Sequence, residues 1–258
     1  MSQSLQHRNV FVTGASSGIG EACARAFARE GANVLMAARR LERIEKLARE
    51  LEETHAVTTH AFRLDVRDRA AVEGALAGLP PFWETIDILV NNAGLSRGLV
   101  KLQEGDVQDW EEMIDTNVKG LLYVTRAILP GMVRRNSGHV INMGSIAGHQ
   151  LYPNGNVYCA SKFAVAAISG GLRMDLLGTN VRVSSIDPGL VETEFSEVRF
   201  HGDKARAAQT YAHMMPLTGE DVAEAVIFCA TRPPHVDVSQ IVIMPTAQAS
   251  VNHVHRSA

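Results

Sequence analysis

The chain has 258 residues, 46% hydrophobic and 21% charged, with a formal charge of -3. These values suit one soluble globular domain with a sizeable core, and the mildly acidic balance argues against nucleic acid as the main partner. Residues 1 to 8 lack the apolar stretch of a signal peptide and no apolar run is long enough to span a bilayer, so a cytoplasmic protein without membrane contact is expected.

The chain opens with an apolar strand pattern at 9 to 13 that runs into Gly14-Ala15-Ser16-Ser17-Gly18-Ile19-Gly20 and then into an Ala-rich helical pattern stopped at Gly31. A strand, a glycine-rich turn and a helix N-terminus make a phosphate cradle, because backbone N–H groups and the helix dipole both favour an anion there. The glycines stand at 14, 18 and 20, a wider spacing than the common dinucleotide fingerprint. A second strand, 33 to 38, ends in Arg39-Arg40 and leads into a charged helix from about 41 to 53. An NAD-binding chain usually carries an acid near the end of this strand to hold the ribose 2′-hydroxyl. Ala37 and Ala38 stand there instead, followed by two guanidinium groups, which favours the 2′-phosphate of NADP.

A third strand is expected over 57 to 64, closing on Asp65-Val66, then a helix over 68 to 79, and a fourth strand over 86 to 90 ending in Asn91-Asn92-Ala93-Gly94. Strands alternating with helices at this period, with apolar interiors, predict a parallel sheet covered on both faces. Ligands of such sheets sit beyond the C-terminal strand ends, where Gly14, Arg39, Asp65, Asn91 and Ser145 all fall. One long helix is expected over 106 to 132, with Asn117 in its middle and its last turn disturbed by Pro130-Gly131. Asn is disfavoured inside helices, and Val118, Leu121 and Leu122 around it make a buried polar role plausible.

Ser145 follows a fifth strand pattern at 139 to 143, and Tyr158 and Lys162 stand four apart in a helix-compatible run that ends near 178. On a helix, phenol and ammonium then share one face. A free phenol has a pKa of about 10, so proton exchange near neutrality needs roughly three units of depression, on the order of 4 kcal/mol, and a nearby lysine cation has the required sign. With the Ser145 hydroxyl offered to the same oxygen that Tyr158 protonates, the three suit a carbonyl–alcohol interconversion. A sixth strand over 181 to 186 leads into Asp187-Pro188-Gly189, and the polar, weakly periodic segment 190 to 216 predicts a mobile flap over a site. A final helix over 219 to 230 and a seventh strand over 240 to 244 complete the pattern. Cys23, Cys159 and Cys229 are far apart and lack C-x-x-C spacing, and His253 and His255 have no acidic or thiol companions nearby, so packing cysteines and no metal site are expected.

Thr13-Gly14-Ala15-Ser16-Ser17-Gly18-Ile19-Gly20, Asn91-Asn92-Ala93-Gly94, Asn117, Ser145, Tyr158-x-x-x-Lys162 and Pro188-Gly189-x-Val191-x-Thr193 occur in this order across nearly the whole chain. The chain thereby resembles the short-chain dehydrogenase/reductase family. The resemblance implies a single Rossmann-type, doubly wound domain of about seven strands over residues 1 to 258, with a cofactor-binding part to about 150 and a catalytic and flap part from about 140. It implies Tyr158 as general acid/base, Lys162 lowering its pKa and gripping the nicotinamide ribose, Ser145 positioning the substrate carbonyl, and Asn117 holding a relay water. It further implies Asp65, with Val66, at the adenine, Asn91 to Gly94 backing the cofactor, Pro188 to Thr193 at the nicotinamide amide, and a homotetramer built on the two long helices. The tail from 248 to 258 is expected to reach a neighbour.

A narrower likeness lies in residues 188 to 203, 115 to 121 and 243 to 246, which are similar to NADP-dependent 3-hydroxy acid dehydrogenases and sulfoacetaldehyde reductases. Such substrates carry a carboxylate or sulfonate, and Arg199 on the flap is the candidate anion ligand. His149-Gln150-Leu151 replaces a bulkier Ser-Trp-Pro type of sequence there, which makes His149 a candidate pocket-wall residue. Ser16-Ser17 stand where some NADP enzymes of the family place a base, which leaves the phosphate to Arg39 and Arg40. A bulkier ketone (steroid, sugar or acyl-carrier bound) is the alternative substrate. A non-catalytic NADP sensor is the alternative class, though one with little need for the catalytic set that this chain carries.

Overall fold

The computed structural model describes residues 3 to 257. Seven parallel strands form one sheet in the order β3-β2-β1-β4-β5-β6-β7. They are β1 (Asn9–Thr13), β2 (Asn33–Ala38), β3 (Thr59–Arg63), β4 (Ile88–Asn91), β5 (Gly138–Met143), β6 (Val181–Pro188) and β7 (Gln240–Ile243). β1, β2, β4 and β6 are buried at every position. Continuous apolar runs rather than alternation are what a sheet covered on both faces demands.

Side-chain alternation divides the core. Val10, Val12, Val34 and Met36 pack with α1 (Gly18–Arg29), α2 (Leu41–His55) and α9 (Gly219–Ala230) through Phe27, Leu47 and Val226. Phe11, Leu35, Leu89 and Val140 face the other way, toward α3 (Arg69–Ala77) and α5 (Leu121–Arg135), through Val72 and Val124. α6 (Asn156–Asp175) covers the same face beside α4 (Val107–Ile114). The sheet runs without interruption from the cofactor-side strands into β5, β6 and β7, and the strand order reverses between β1 and β4, the place where open α/β sheets bind ligands.

One expectation needs correction. The long helix over 106 to 132 is three pieces: α4, a π-helical turn over Asp115–Gly120, and α5, which runs through Pro130 as far as Arg135. The wide turn admits Asn117 to the interior, and the proline costs only the bond to the carbonyl of Arg126, a residue on the exposed side where water can replace it. The segment 190 to 216, expected as a flap, carries α7 (Phe195–Arg199) and α8 (Lys204–Gln209). All three cysteines are free and buried, and burial pushes the Cys23 thiol up to about 12. Among the described residues no helix is long and apolar enough to cross a membrane.

Candidate active site

The glycine-rich turn is fastened to β4 before any ligand is considered. Gly14 has φ 67°, and a Cβ there would stand 2.9 Å from the Ala93 Cα. Thr13 Oγ1 accepts from the backbone N–H groups of Asn92 and Ala93 at 3.1 Å each, and Asn92 Nδ2 donates to the Thr13 carbonyl at 3.0 Å. The Ser17 side chain makes no capping bond, so the first-turn N–H groups at Gly18 and Ile19 meet the cavity without a side-chain partner.

That cavity has a volume of about 740 Å³ and spans the C-terminal edge of the sheet, within the usual range for a small-molecule site. Gly14, Ser16, Ser17, Gly18, Ile19, Arg39, Arg40, Asp65, Val66, Ala93 and Gly94 line it together with Ser145, Tyr158, Lys162, Pro188, Gly189, Val191, Thr193 and Arg199. Asn92 lines it in place of Asn91, whose Nδ2 turns into the core to donate to Thr125 Oγ1 at 2.8 Å and Asn142 Oδ1 at 2.9 Å. Period two explains the swap, because neighbouring residues at a strand end point to opposite sides. Gly20 lies behind the lining, where a Cβ would be 2.4 Å from the Gly14 carbonyl oxygen.

The basic pair divides its work. Arg40 donates to Ser17 Oγ at 2.7 Å and pairs with Glu194 of the flap at 2.6 Å, and Arg43 reaches the same carboxylate at 2.6 Å. Although partial burial opposes ionisation, bonds from Arg43 and Arg40 hold Glu194 at about 2. Arg39 is exposed and makes no hydrogen bond or ion pair among the described residues. Ser16, Ser17, Arg39 and the Glu194-bound Arg40 are the residues that could hold an adenosine phosphate at this part of the cavity. Asp65 is paired with Arg67 at 2.6 Å, and the Arg67 bonds hold its carboxyl below the usual range.

Helix α6 presents Tyr158 and Lys162 on one face. Lys162 Nζ lies 5.9 Å from the centre of the Tyr158 ring and donates to the Met143 carbonyl at 2.9 Å. Burial pulls the Lys162 ammonium down to about 8, with Asp187 opposing. Burial raises the Tyr158 phenol, against the nearby Arg199 cation and a hydrogen bond from Ser145. Arg199 is thus a second cation beside the phenol, its guanidinium 5.2 Å from the ring centre against 5.9 Å for Lys162 Nζ. Asn117 sits behind the lining, accepting from Leu95 N–H at 2.8 Å and donating to the Leu95 carbonyl at 2.8 Å and to Ser161 Oγ at 2.9 Å. A Cβ on Gly94 would be 3.3 Å from Asn117 Oδ1 and 3.7 Å from Lys162 Nζ, so the three share one corner.

Arg199 enters the cavity from α7. Its Nε donates to Ser96 Oγ and its Nη2 to the Tyr152 hydroxyl, both at 3.0 Å, and its guanidinium stands 5.2 Å from the Tyr158 and Phe195 ring centres. His149 does not line the cavity: its Nε2 donates to Asp187 Oδ2 at 2.8 Å, on the far side of the Ser145 turn. The tail packs on its own chain. Val251 and Asn252 line this chain's own cavity, Asn252 Nδ2 donates to the Leu151 carbonyl at 2.9 Å, and Arg256 reaches the Thr210 carbonyl at 2.9 Å. Tyr152, Phe195 and Tyr211 also line the cavity and carried no signal in the sequence beyond being aromatic.

A glycine-cradled dinucleotide cleft joined to a Ser-Tyr-Lys corner defines an oxidoreductase, and the short chain dehydrogenase family model matches residues 8–204, so the chain belongs to that family. It is 51% identical over 249 residues to the NADP-dependent 3-hydroxy acid dehydrogenase of Shigella flexneri, covering 96% of this chain and 99% of that protein. Sulfoacetaldehyde reductase 2 of Chromohalobacter salexigens is 45% identical over 241 residues, 93% of this chain and 95% of that protein. The closed form of a serine dehydrogenase complexed with NADP+ superposes with a TM-score of 0.90 at 50% identity, over 96% of this chain and 100% of that one.

Proposed function

We propose that this protein is an NADP(H)-dependent oxidoreductase that moves a hydride between nicotinamide and a small 3-hydroxy acid, or the corresponding carbonyl compound. The observation that carries the reading is Arg199, which stands beside the Tyr158 ring with only two of its N–H groups engaged by protein. A guanidinium so placed binds a carboxylate or sulfonate and brings the adjacent carbon–oxygen bond to the phenol. The names of the relatives point to the same substrate class.

Bound NADP(H) would supply the hydride chemistry. The chain's own residues do the rest. Ser145 hydrogen-bonds the reacting oxygen, Tyr158 gives it a proton in reduction and takes one in oxidation, and Lys162, held on the Met143 carbonyl, favours the phenolate and would grip the nicotinamide ribose. Asn117, through the π-helical turn, supports a relay water beside Lys162. Arg39, assisted by Arg40, would hold the 2′-phosphate, Asp65 and Val66 would meet the adenine, and Pro188 to Thr193 would contact the nicotinamide amide, a reading supported by the presence of Arg39, Arg40, Asp65, Val66, Pro188, Gly189, Val191 and Thr193 in the cavity wall. Asn91, Gly20 and His149 act from behind the lining. We place the protein in the cytoplasm as a homotetramer; the assembly is supported by exposed Leu122 on α5 and Phe163 on α6.

The test is NADPH consumption with a panel of semialdehydes, sulfoacetaldehyde and bulky neutral ketones. Turnover of the acids is expected, and activity confined to neutral ketones would reject the small-acid substrate.

A further inference from the structure

Asp187 is the carboxylate that the reading above leaves without a task. It is 1% exposed, at the C-terminal end of β6, and ionised groups are rarely buried so fully without a partner of opposite charge. Three donors fix it. Ser185 Oγ donates to Oδ1 at 2.6 Å, and His149 Nε2 and Gln240 Nε2 donate to Oδ2 at 2.8 and 2.5 Å. The carboxylate lies directly over Gly144, where a Cβ would come 1.8 Å from Oδ1. Gly144 joins Met143, whose carbonyl takes the Lys162 ammonium, to Ser145. Its N–H donates to the Ile186 carbonyl at 2.8 Å, so the Ser145 turn and the Asp187 segment are stitched together.

We propose that Asp187 is a positioning residue for the catalytic corner: a fixed counter-charge for the Lys162 ammonium that also seats the Ser145 turn, with His149 as the strap that holds it in place. The proposal deepens the functional reading and rests on it for the roles of Ser145 and Lys162. The titratable groups around the carboxylate are His149, from the end of the turn Ile146–Gly148, and Lys162 from α6; β6 and β7 contribute the uncharged Ser185 and Gln240. Lys162 is itself buried, and its ammonium has no carboxylate within ion-pair distance among the described residues. Asp187 therefore favours the charged lysine through the intervening Met143–Gly144 backbone rather than by contact. No residue larger than glycine could stand at 144 without displacing the carboxylate.

Asp187→Asn keeps the side-chain shape and removes the charge. With isotopically labelled lysine, the Lys162 resonance is assigned by its loss in Lys162→Met and titrated by NMR. Its midpoint is expected to fall by about half a pH unit or more in Asp187→Asn; an unmoved midpoint overturns the proposal. His149→Leu removes the strap and is expected to lower kcat several-fold with the KM for NADPH unchanged, while His149→Gln, which retains an N–H donor, recovers most of it. Equal activity of the two His149 variants also overturns the proposal, and this pair serves if Asp187→Asn does not fold. The lysine titration needs no turnover, so its outcome is separate from the redox reading, which fails instead if Tyr158→Phe leaves turnover undiminished.

Discussion

The Arg199 guanidinium lies 5.2 Å from the centre of the Tyr158 ring, although the two residues are 41 positions apart and belong to different elements. One cation thus serves two purposes in the proposed reaction. It stabilises the phenolate, and it presents the N–H groups left over from Ser96 and Tyr152 to the substrate acid. Arg199→Met removes both. The kcat/KM for a 3-hydroxy acid is expected to fall by about 100-fold, the value of one or two charge-assisted hydrogen bonds, against a few-fold for a neutral ketone. Equal losses on the two substrates would remove the anion-binding role.

Tyr158→Phe deletes the proton donor and leaves the ring packed against Phe195. Turnover is expected to drop by about 10³-fold, in the range of general acid–base catalysis, with NADPH affinity measured by fluorescence titration unchanged. The pH dependence has a definite sign. Burial raises the phenol above its ordinary value, so reduction, which needs the protonated form, should stay level through neutrality and fall only at alkaline pH. Oxidation, which needs the phenolate, should climb over the same interval. A reduction rate already falling below neutrality would contradict this assignment.

At the phosphate-binding turn, Arg39 has no partner among the described residues and Arg40 is engaged by Glu194, Ser16 and Ser17. Arg39→Ala and Arg40→Ala are each expected to raise the KM for NADPH about tenfold or more, as loss of a charge-assisted bond requires. The KM for NADH, which lacks the phosphate, should move less than about twofold. An unchanged NADPH preference in the double variant would assign the phosphate elsewhere.

Lys162 is held charged at a thermodynamic cost. Its folded value of about 8 lies below the ordinary 10.5, so the unfolded chain binds the proton more readily, and stability rises with pH between those two values. Replacing it by Met removes a buried ammonium and the bond to Met143. The net gain at pH 7 is expected to be about 2 kcal/mol, from roughly 3 for the charge less roughly 1 for the hydrogen bond. Thermal unfolding at pH 7 and pH 10 checks it: the advantage of Lys162→Met should shrink at the higher pH, and a less stable variant at pH 7 would refute the account.

Much of the architecture was legible along the chain. The strand runs, the glycine turn and the alternation with helices depend on neighbours within one or two turns, and all seven strands formed where apolar patterns predicted them. The miss at 106 to 132 has a local cause too, because periodicity does not distinguish a π-helical turn from the α-helix that surrounds it. Tyr158 and Lys162 alone were a weak signal, and their weight came from the glycine turn, Asn91 to Gly94, Asn117 and Ser145 occurring with them; their shared face was legible because a spacing of four on a helix sets it locally.

The sequence by itself determined the parallel sheet, the dinucleotide cradle and the Tyr158–Lys162 pair, because helix and strand periods and turn chemistry are properties of short segments. Only the tertiary structure decided that Asn92 rather than Asn91 meets the cavity, that His149 turns away to Asp187, that Arg199 reaches Tyr158, and that the tail closes over its own cleft. Each of these depends on which strand lies beside which and in what register, contacts made between residues far apart in the chain, and no local pattern carries that information.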